Sequence, residues 1–135
     1  MTPQILLYNI TDEDRKKKIK ALLLRLRIRA RIVEKNRYHE PIGCLAGMDI
    51  SETAQAVQSE SERNEAGNTQ DFSDEMLIFC FLPDAVLNQM LQGLRKAGVI
   101  IPLKAVLTPS NCTWNSYMIH REIAAEHEMM HRKQE

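Results

Sequence analysis

The chain of 135 residues is poor in cysteine, in aromatic side chains and in long apolar runs. Its three cysteines, Cys44, Cys80 and Cys112, are odd in number, and no two have C-x-x-C spacing. This pattern excludes a disulfide framework and favours a reducing compartment, so we expect a cytoplasmic protein. The apolar run at residues 4–10 is short and dense charge follows it, which fits neither a signal peptide nor a spanning helix, so we expect no membrane as partner.

An excess of one sign of charge is also missing, because eighteen basic residues balance eighteen acidic ones. Net charge therefore excludes no class of partner, and a hydrophobic content of 44% is that of an ordinary globular protein. A chain of this length can bury a core without disulfides or a metal. We predict a single α/β domain over residues 1–135 and no cofactor.

Hydrophobic periodicity predicts the order strand, helix, strand, strand, helix, strand, helix. The predicted strands cover residues 4–10, 28–34, 75–82 and 103–108, and the predicted helices cover 12–26, 83–98 and 114–131. Thr11 and Thr113 are the predicted N-caps of the first and last helices, and Gly98 is the predicted left-handed cap of the second. The second strand has the charge pattern of an edge, and the third has the continuous apolar run of a strand buried on both faces.

This order of elements predicts an α+β fold of the ferredoxin-like split βαβ type (βαββαβ). Such a fold has a four-stranded antiparallel sheet, here with an extra C-terminal helix. Residues 49–73 are polar and acidic, so we expect a disordered insertion there, with a short helix at 52–57 as an option. A ferredoxin-like sheet leaves one face free, which the last helix or the second subunit of a homodimer would cover.

In that topology the segments 38–48 ("YHEPIGCLAGM") and 108–114 ("TPSNCTW") leave the sheet at the same end and should meet. The meeting point would bind a small polar ligand or a segment of a protein partner. The predicted ligand-binding residues are Tyr38, His39, Gly43, Thr108, Asn111 and Trp114. Cys44 and Cys112 lie on the same segments, so a Cys–His nucleophile pair with His39 is an enzymatic alternative. Ordinary loop cysteines are the simpler interpretation.

The letters "HEMMH" at 127–131 match the H-E-x-x-H pattern of zinc peptidases. His127 and His131 would lie on one helix face with His120, but three ligands on one straight helix would span about 16 Å. A zinc-dependent hydrolase using His127, Glu128 and His131 is therefore an alternative that we do not favour. The simpler interpretation is a solvated helix end in which Glu128 pairs with Arg132.

A basic run of eleven Lys and Arg residues lies between Arg15 and Arg37. Such a surface suits phosphates, so RNA binding through the first helix and second strand is a second hypothesis. However, the strands lack the stacking side chains of an RNA-recognition motif, since Leu6 stands where an aromatic residue is wanted. Nucleic acid is therefore not the expected partner.

The predicted last helix has a segment ending in "EH". Before it, the chain contains the four stretches "ILLYN", "YHEPIGCLAGM", "DEMLIFCF" and "PLKAVLTPSNCTW". Together they resemble a bacterial family named domain of unknown function 3783, over most of the chain outside the polar insertion. The resemblance implies no reaction, cofactor or catalytic residue, and we expect the family pattern to include His127 but not a second histidine. We therefore predict a binding or regulatory domain and lean away from an enzyme.

Overall fold

The structure is a computed structural model that describes residues 2–47, 72 and 74–134, with side chains as far as His127. Contacts divide the chain into two compact units, which are described separately below. Unit 1 comprises residues 1–32 and 74–106, and unit 2 comprises residues 33–73 and 107–135. Apart from Phe72, the predicted insertion at 49–73 and its optional helix lie outside the described residues.

Unit 1 contains a four-stranded sheet with the strand order β2-β1-β3-β4. The strands are β1 (Gln4–Tyr8), β2 (Arg29–Ile32), β3 (Met76–Cys80) and β4 (Leu103–Val106). β1 is parallel to β2 and β3 is parallel to β4, whereas β1 and β3 are antiparallel. The predicted α+β class is confirmed, but the antiparallel ferredoxin-like sheet is wrong. Each crossover here returns the chain to the neighbouring strand, whereas the ferredoxin order leaves a place for a third strand between them.

The described residues contain four helices and one short 3₁₀ turn. The helices are α1 (Glu13–Leu26), α2 (Ile42–Leu45), α3 (Asp84–Lys96) and α4 (Ser116–Gln134), and the turn is Lys35–Arg37. α1 and α3 belong to unit 1 and form one layer over the sheet. Their apolar stripes pack with alternate residues of the two central strands, namely Ile5, Leu7, Leu77 and Phe79. The intervening residues of β1 and β3 are buried as well, as expected from continuous apolar runs.

Capping side chains set the starts of α1 and α4. Asp12 caps α1, since its carboxylate accepts a hydrogen bond from the N–H of Asp14 at 3.1 Å. Asn115 caps α4 in the same way, through the N–H of Met118 at 2.9 Å. The predicted caps Thr11 and Thr113 are therefore wrong. The one-turn helix α2 lies in a segment that the sequence predicts as a loop.

The two strand–helix–strand halves of unit 1 share one backbone plan. Each central strand is followed by a residue with positive φ, which is +60° at Asn9 and +61° at Phe81. Each helix then ends at a left-handed residue, Arg27 or Gly98, with φ of +59° and +74°. The next N–H closes the turn onto the carbonyl that lies four residues before the left-handed residue. These bonds are Ile28 N–H to Leu23 O (2.8 Å) and Val99 N–H to Leu94 O (3.0 Å).

The edge strand β2 differs from the rest of the sheet because all four of its residues are exposed. The sequence predicts an edge strand here, and the strand order confirms it. Ile32 retains 55% of its surface in contact with solvent. Within the described part of the chain, no helix is both long and apolar enough to cross a membrane.

Candidate functional site

The two segments predicted to meet lie together in unit 2. The N–H of Ile42 donates to the carbonyl of Trp114 (2.8 Å), and the N–H of Ser116 donates to the carbonyl of Tyr38 (3.0 Å). The meeting is confirmed, but the topological reason for it is wrong. β2 and β4 run in opposite directions, so their carboxyl ends lie at opposite ends of the sheet. We call this hydrogen-bonded region, residues 38–43 with 108–116, the joint.

Gly43 stands at the closest approach within the joint. Its N–H donates to the carbonyl of Cys112 at 2.9 Å. A Cβ atom on Gly43 would lie 2.8 Å from that same carbonyl oxygen, which is closer than Cβ atoms pack in proteins. Glycine is therefore needed for two backbones to pair, and this accounts for its presence without a ligand.

Thr108 and Asn111 hold each other across a tight turn. The Oδ1 atom of Asn111 accepts from the N–H of Thr108 (2.8 Å), and the Oγ1 atom of Thr108 accepts from the N–H of Asn111 (3.2 Å). This reciprocal arrangement satisfies backbone donors that a turn would otherwise expose. These two polar oxygens thus stabilise the turn, and ligand binding by Thr108 and Asn111 stays a prediction.

The aromatic residues of unit 2 form a stacked ladder. Tyr38 is buried and stacks on Phe72 with 4.9 Å between ring centroids, and Phe72 stacks on His120 at 3.9 Å. Tyr117 meets Tyr38 edge-on at 5.7 Å. Such contacts stabilise a core by about 1 kcal/mol each beyond the area they bury. Tyr38 is therefore a packing residue.

The remaining predicted ligand-binding side chains differ in exposure. His39 is exposed, and Trp114 is half-buried. Trp114 contributes its carbonyl to the joint. All six predicted residues thus lie at the joint, and the structure points to structural tasks for every one of them except His39. Their role in ligand binding is left as a prediction.

None of the three cysteines forms a disulfide, and their surroundings differ. Cys44 is exposed, whereas the Sγ atom of Cys112 donates to the carbonyl of Pro109 at 3.4 Å. Burial raises the pKa of the Cys80 thiol to about 12, because the thiolate would lose its hydration in the sheet. Cys80 is therefore a core residue, as the sequence predicts, and a poor nucleophile.

The histidines of the H-E-x-x-H sequence lie in the second half of α4. The side chains of Glu128 and His131 fall outside the described residues, so the zinc alternative keeps the status of a prediction. Among the described residues, no three His, Cys, Asp or Glu side chains lie close enough together to hold a metal ion.

A basic groove lies between α1 and α3 in unit 1. It has a volume of about 550 Å³ and is lined by the cationic side chains of Lys18, Arg25 and Lys96. Its floor is made of small residues, because the helices approach closely where Gly93 faces Leu22. A Cβ on Gly93 would lie 2.5 Å from a methyl group of Leu22. A second groove of about 360 Å³ continues from the first past Arg25 and Lys96 and adds Gln89 and Gln92.

Charge is divided unevenly between the two units, although the whole chain is neutral. Unit 1 has twelve Lys and Arg residues against six Asp and Glu, which gives +6, and unit 2 has six against twelve, which gives −6. Nine of the twelve cations of unit 1 lie between Arg15 and Arg31. Arg15 is committed to structure, since its guanidinium binds both carboxylate oxygens of Glu75 at 2.5 Å.

The sequence did not single out Lys96 or Gly93, two of the residues that shape the groove. A lone glycine inside an otherwise apolar helical pattern is a signal of close packing, and it identifies Gly93 in retrospect. Lys96 carries no such signal, because only the packing of α3 against α1 places it beside Arg25.

The chain is thus an α+β protein with a mixed four-stranded sheet and a basic helical layer. Residues 75–130 match a family described as domain of unknown function (DUF3783). The resemblance is thereby confirmed for this part of the chain, which extends from β3 into α4 and includes His127 but not His131. No curated protein and no solved structure shows significant similarity to the chain.

Proposed function

We propose that the protein is a non-catalytic, cytoplasmic binding domain and that its ligand is the sugar–phosphate backbone of a nucleic acid. The observation that carries this proposal is the basic groove between α1 and α3, where Lys18, Arg25 and Lys96 converge. Side chains of like charge repel one another, so a groove lined by three cations gains stability when an anion enters it.

The surface around the groove supports a polyanion over a single small anion. Lys17, Lys20 and Arg27 are exposed on α1 or at its end, and Lys18 reaches Asp14 only in a solvent-exposed pair at 3.6 Å. Exposed pairs of this kind contribute little, so Lys18 can exchange its partner for a phosphate. A chain of phosphates would release counterions along this whole face of unit 1.

The contacts available suit the backbone of the nucleic acid and do not suit its bases. The described aromatic residues of unit 1 offer little surface for stacking, since Tyr8 and Phe79 are buried and Phe81 is half-buried. Phosphate contacts position a nucleic acid without reading its sequence. Binding is therefore expected to be strong at low salt and insensitive to base sequence.

The test is fluorescence anisotropy with labelled 20-nucleotide single-stranded RNA, the same sequence as duplex RNA, and duplex DNA. We expect the logarithm of the association constant to fall with the logarithm of the salt concentration with a slope of about −3, as for three or four phosphate contacts. At 0.15 M salt, R25E/K96E should lower the affinity at least tenfold. The matched control R95E/R121E has the same change in charge outside the groove and should lower it less than threefold.

Three results would contradict the proposal. One is no binding to any of the three nucleic acids at 50 mM salt, and another is equal losses in both double variants, which would reflect net charge alone. The third is binding to vesicles of phosphatidylserine in phosphatidylcholine, sensitive to R25E/K96E, without binding to nucleic acid.

A further inference from the structure

We infer that the open edge of β2 is a docking site for an extended acidic segment of a partner protein, which adds to the sheet as a fifth strand. The site is distinct from the basic groove, and the inference stands on a different observation. Among the described residues, β2 has a single neighbouring strand, and all four of its side chains are exposed.

The backbone of β2 directs hydrogen-bonding groups away from the sheet along this edge. In a parallel pair, alternate residues direct both N–H and C=O toward the neighbouring strand. The N–H of Arg29 donates to the carbonyl of Pro3 at 3.0 Å, so Arg29 and Arg31 face β1. The N–H and C=O groups of Ala30 and Ile32 therefore point away from the sheet. A peptide strand supplies both donors and acceptors for them, whereas phosphates supply acceptors alone.

The side chains specify what kind of strand fits. Arg29 and Arg31 lie on one face of the sheet, beside Gln4 and Leu6, while Ala30 and Ile32 lie on the other. Cross-strand neighbours of opposite charge stabilise a sheet, and so do apolar neighbours. The matching partner has Glu or Asp at alternate positions, opposite the arginines, and apolar residues between them, opposite Ile32.

The same reasoning argues against a second copy of this chain as the occupant. Antiparallel pairing of two β2 strands would place arginines of one copy beside arginines of the other, and like charges at such positions are destabilising. The other edge strand is less open, since Leu103 of β4 is buried. Charge and exposure thus single out β2 and an acidic partner strand.

The experiment uses a fluorescein-labelled peptide of alternating Glu and Ile or Val residues, measured by anisotropy against the full chain. A30P removes one outward N–H and leaves the bonds from β2 to β1 in place, as proline on an edge strand can. We expect A30P to weaken peptide binding at least tenfold and to leave RNA binding within twofold. A copy of the peptide with one N-methylated backbone amide should lose affinity for the unmodified chain in the same way.

Charge exchange keeps the test decisive if A30P fails to fold by circular dichroism. R29E/R31E should bind the Glu peptide at least tenfold more weakly, and it should bind a peptide with Lys in place of Glu. The unmodified chain should not bind the Lys peptide. The inference is overturned if a folded A30P binds the Glu peptide normally, or if R29E/R31E does not exchange its preference. It is also overturned if sedimentation shows a dimer of this chain that A30P abolishes, since the edge would then belong to a second copy.

Discussion

The two halves of unit 1 have the same backbone plan and different surfaces. Residues 1–32 and 74–106 each form a strand, a positive-φ residue, a helix, a left-handed cap and a parallel strand. The first half, however, has nine basic residues against three acidic ones, and the second has three against three. The same backbone arrangement therefore occurs with a basic surface and with a surface of balanced charge, so the fold does not require the basic surface.

In the second half, one of the three cations, Lys104, has a local structural task. The Nζ atom of Lys104 donates to the carbonyl of Ile101 at 2.6 Å, and burial lowers the pKa of that ammonium group. In the first half, by comparison, Arg15 is the cation with a structural task across the sheet, through Glu75 and the carbonyl of Ile100 at 2.7 Å. Lys17, Lys20 and Arg27 of the first half have exposed side chains, which a ligand can reach.

The greatest loss of stability is expected from a change at the contact between α1 and α3. G93L would place a whole side chain where a single Cβ already meets Leu22 at 2.5 Å. We expect the free energy of unfolding to fall by about 3 kcal/mol, as in an overpacked core. Urea denaturation measures the change. K17L, which places the same side chain on the solvent-exposed side of α1, is the control and should change stability by less than about 0.5 kcal/mol. Adding L22A to G93L should restore part of the lost free energy of unfolding, because it removes the clashing side chain. If the double variant is no more stable than G93L, the clash is not at Leu22.

A second difference concerns the central strands, where Cys80 takes the place that Tyr8 has in the first half. The folded-state pKa of Cys80 is raised to about 12. Its contribution to stability is therefore fully present below pH 9, the ordinary thiol pKa, and is lost as the pH rises from 9 to 12. At pH 11, two units above the ordinary thiol pKa, the loss should be about 3 kcal/mol. C80A should show a flatter decline of unfolding free energy above pH 9, whereas C44A should follow the unmodified chain. Parallel declines in C80A and the unmodified chain would refute this assignment.

The ion pair between Arg15 and Glu75 joins the halves across sixty residues of sequence. E75Q keeps the shape but removes the charge from a pair whose side chains are 26% and 22% exposed. We expect a loss of about 1.5 kcal/mol, since hydrogen bonds to charged groups exceed neutral ones. The local pair of Arg37 and Glu40 gives the matched control, because it is more exposed and E40Q should therefore cost less than E75Q. Equal losses of stability from E75Q and E40Q would show that the long-range pair stabilises the fold no more than the local pair.

The smallest effects come from exchanging the helix caps of the two halves. G98A puts a Cβ on a residue with φ of +74°, and the cost should be about 1 kcal/mol. R27G relieves the same strain in the first half and should stabilise the chain. The gain should be only about 0.5 kcal/mol, because the greater freedom of glycine in the unfolded state offsets part of it. Thermal unfolding of both variants gives the signs. Two changes of the same sign would mean that the halves do not share this cap.

The sequence predicted the elements better than their arrangement. The edge character of β2, the buried run of β3 and the cap at Gly98 each follow from residues within a few positions of one another. The joint was also predicted, although its polar oxygens are engaged within the turn. The spacing of Thr108 and Asn111 already indicates a turn in which the two side chains bond the backbone, so this part of the joint could have been predicted from the sequence.

Local features follow from the order of residues alone: where strands and helices form, where they end, and which side of each one is apolar. The tertiary structure alone decided that each crossover joins neighbouring strands, and that Lys18 and Arg25 share a groove with Lys96, more than seventy positions away. Periodicity and capping act within one or two turns of backbone, whereas strand order and groove composition depend on contacts between distant residues, which a single sequence does not encode by spacing.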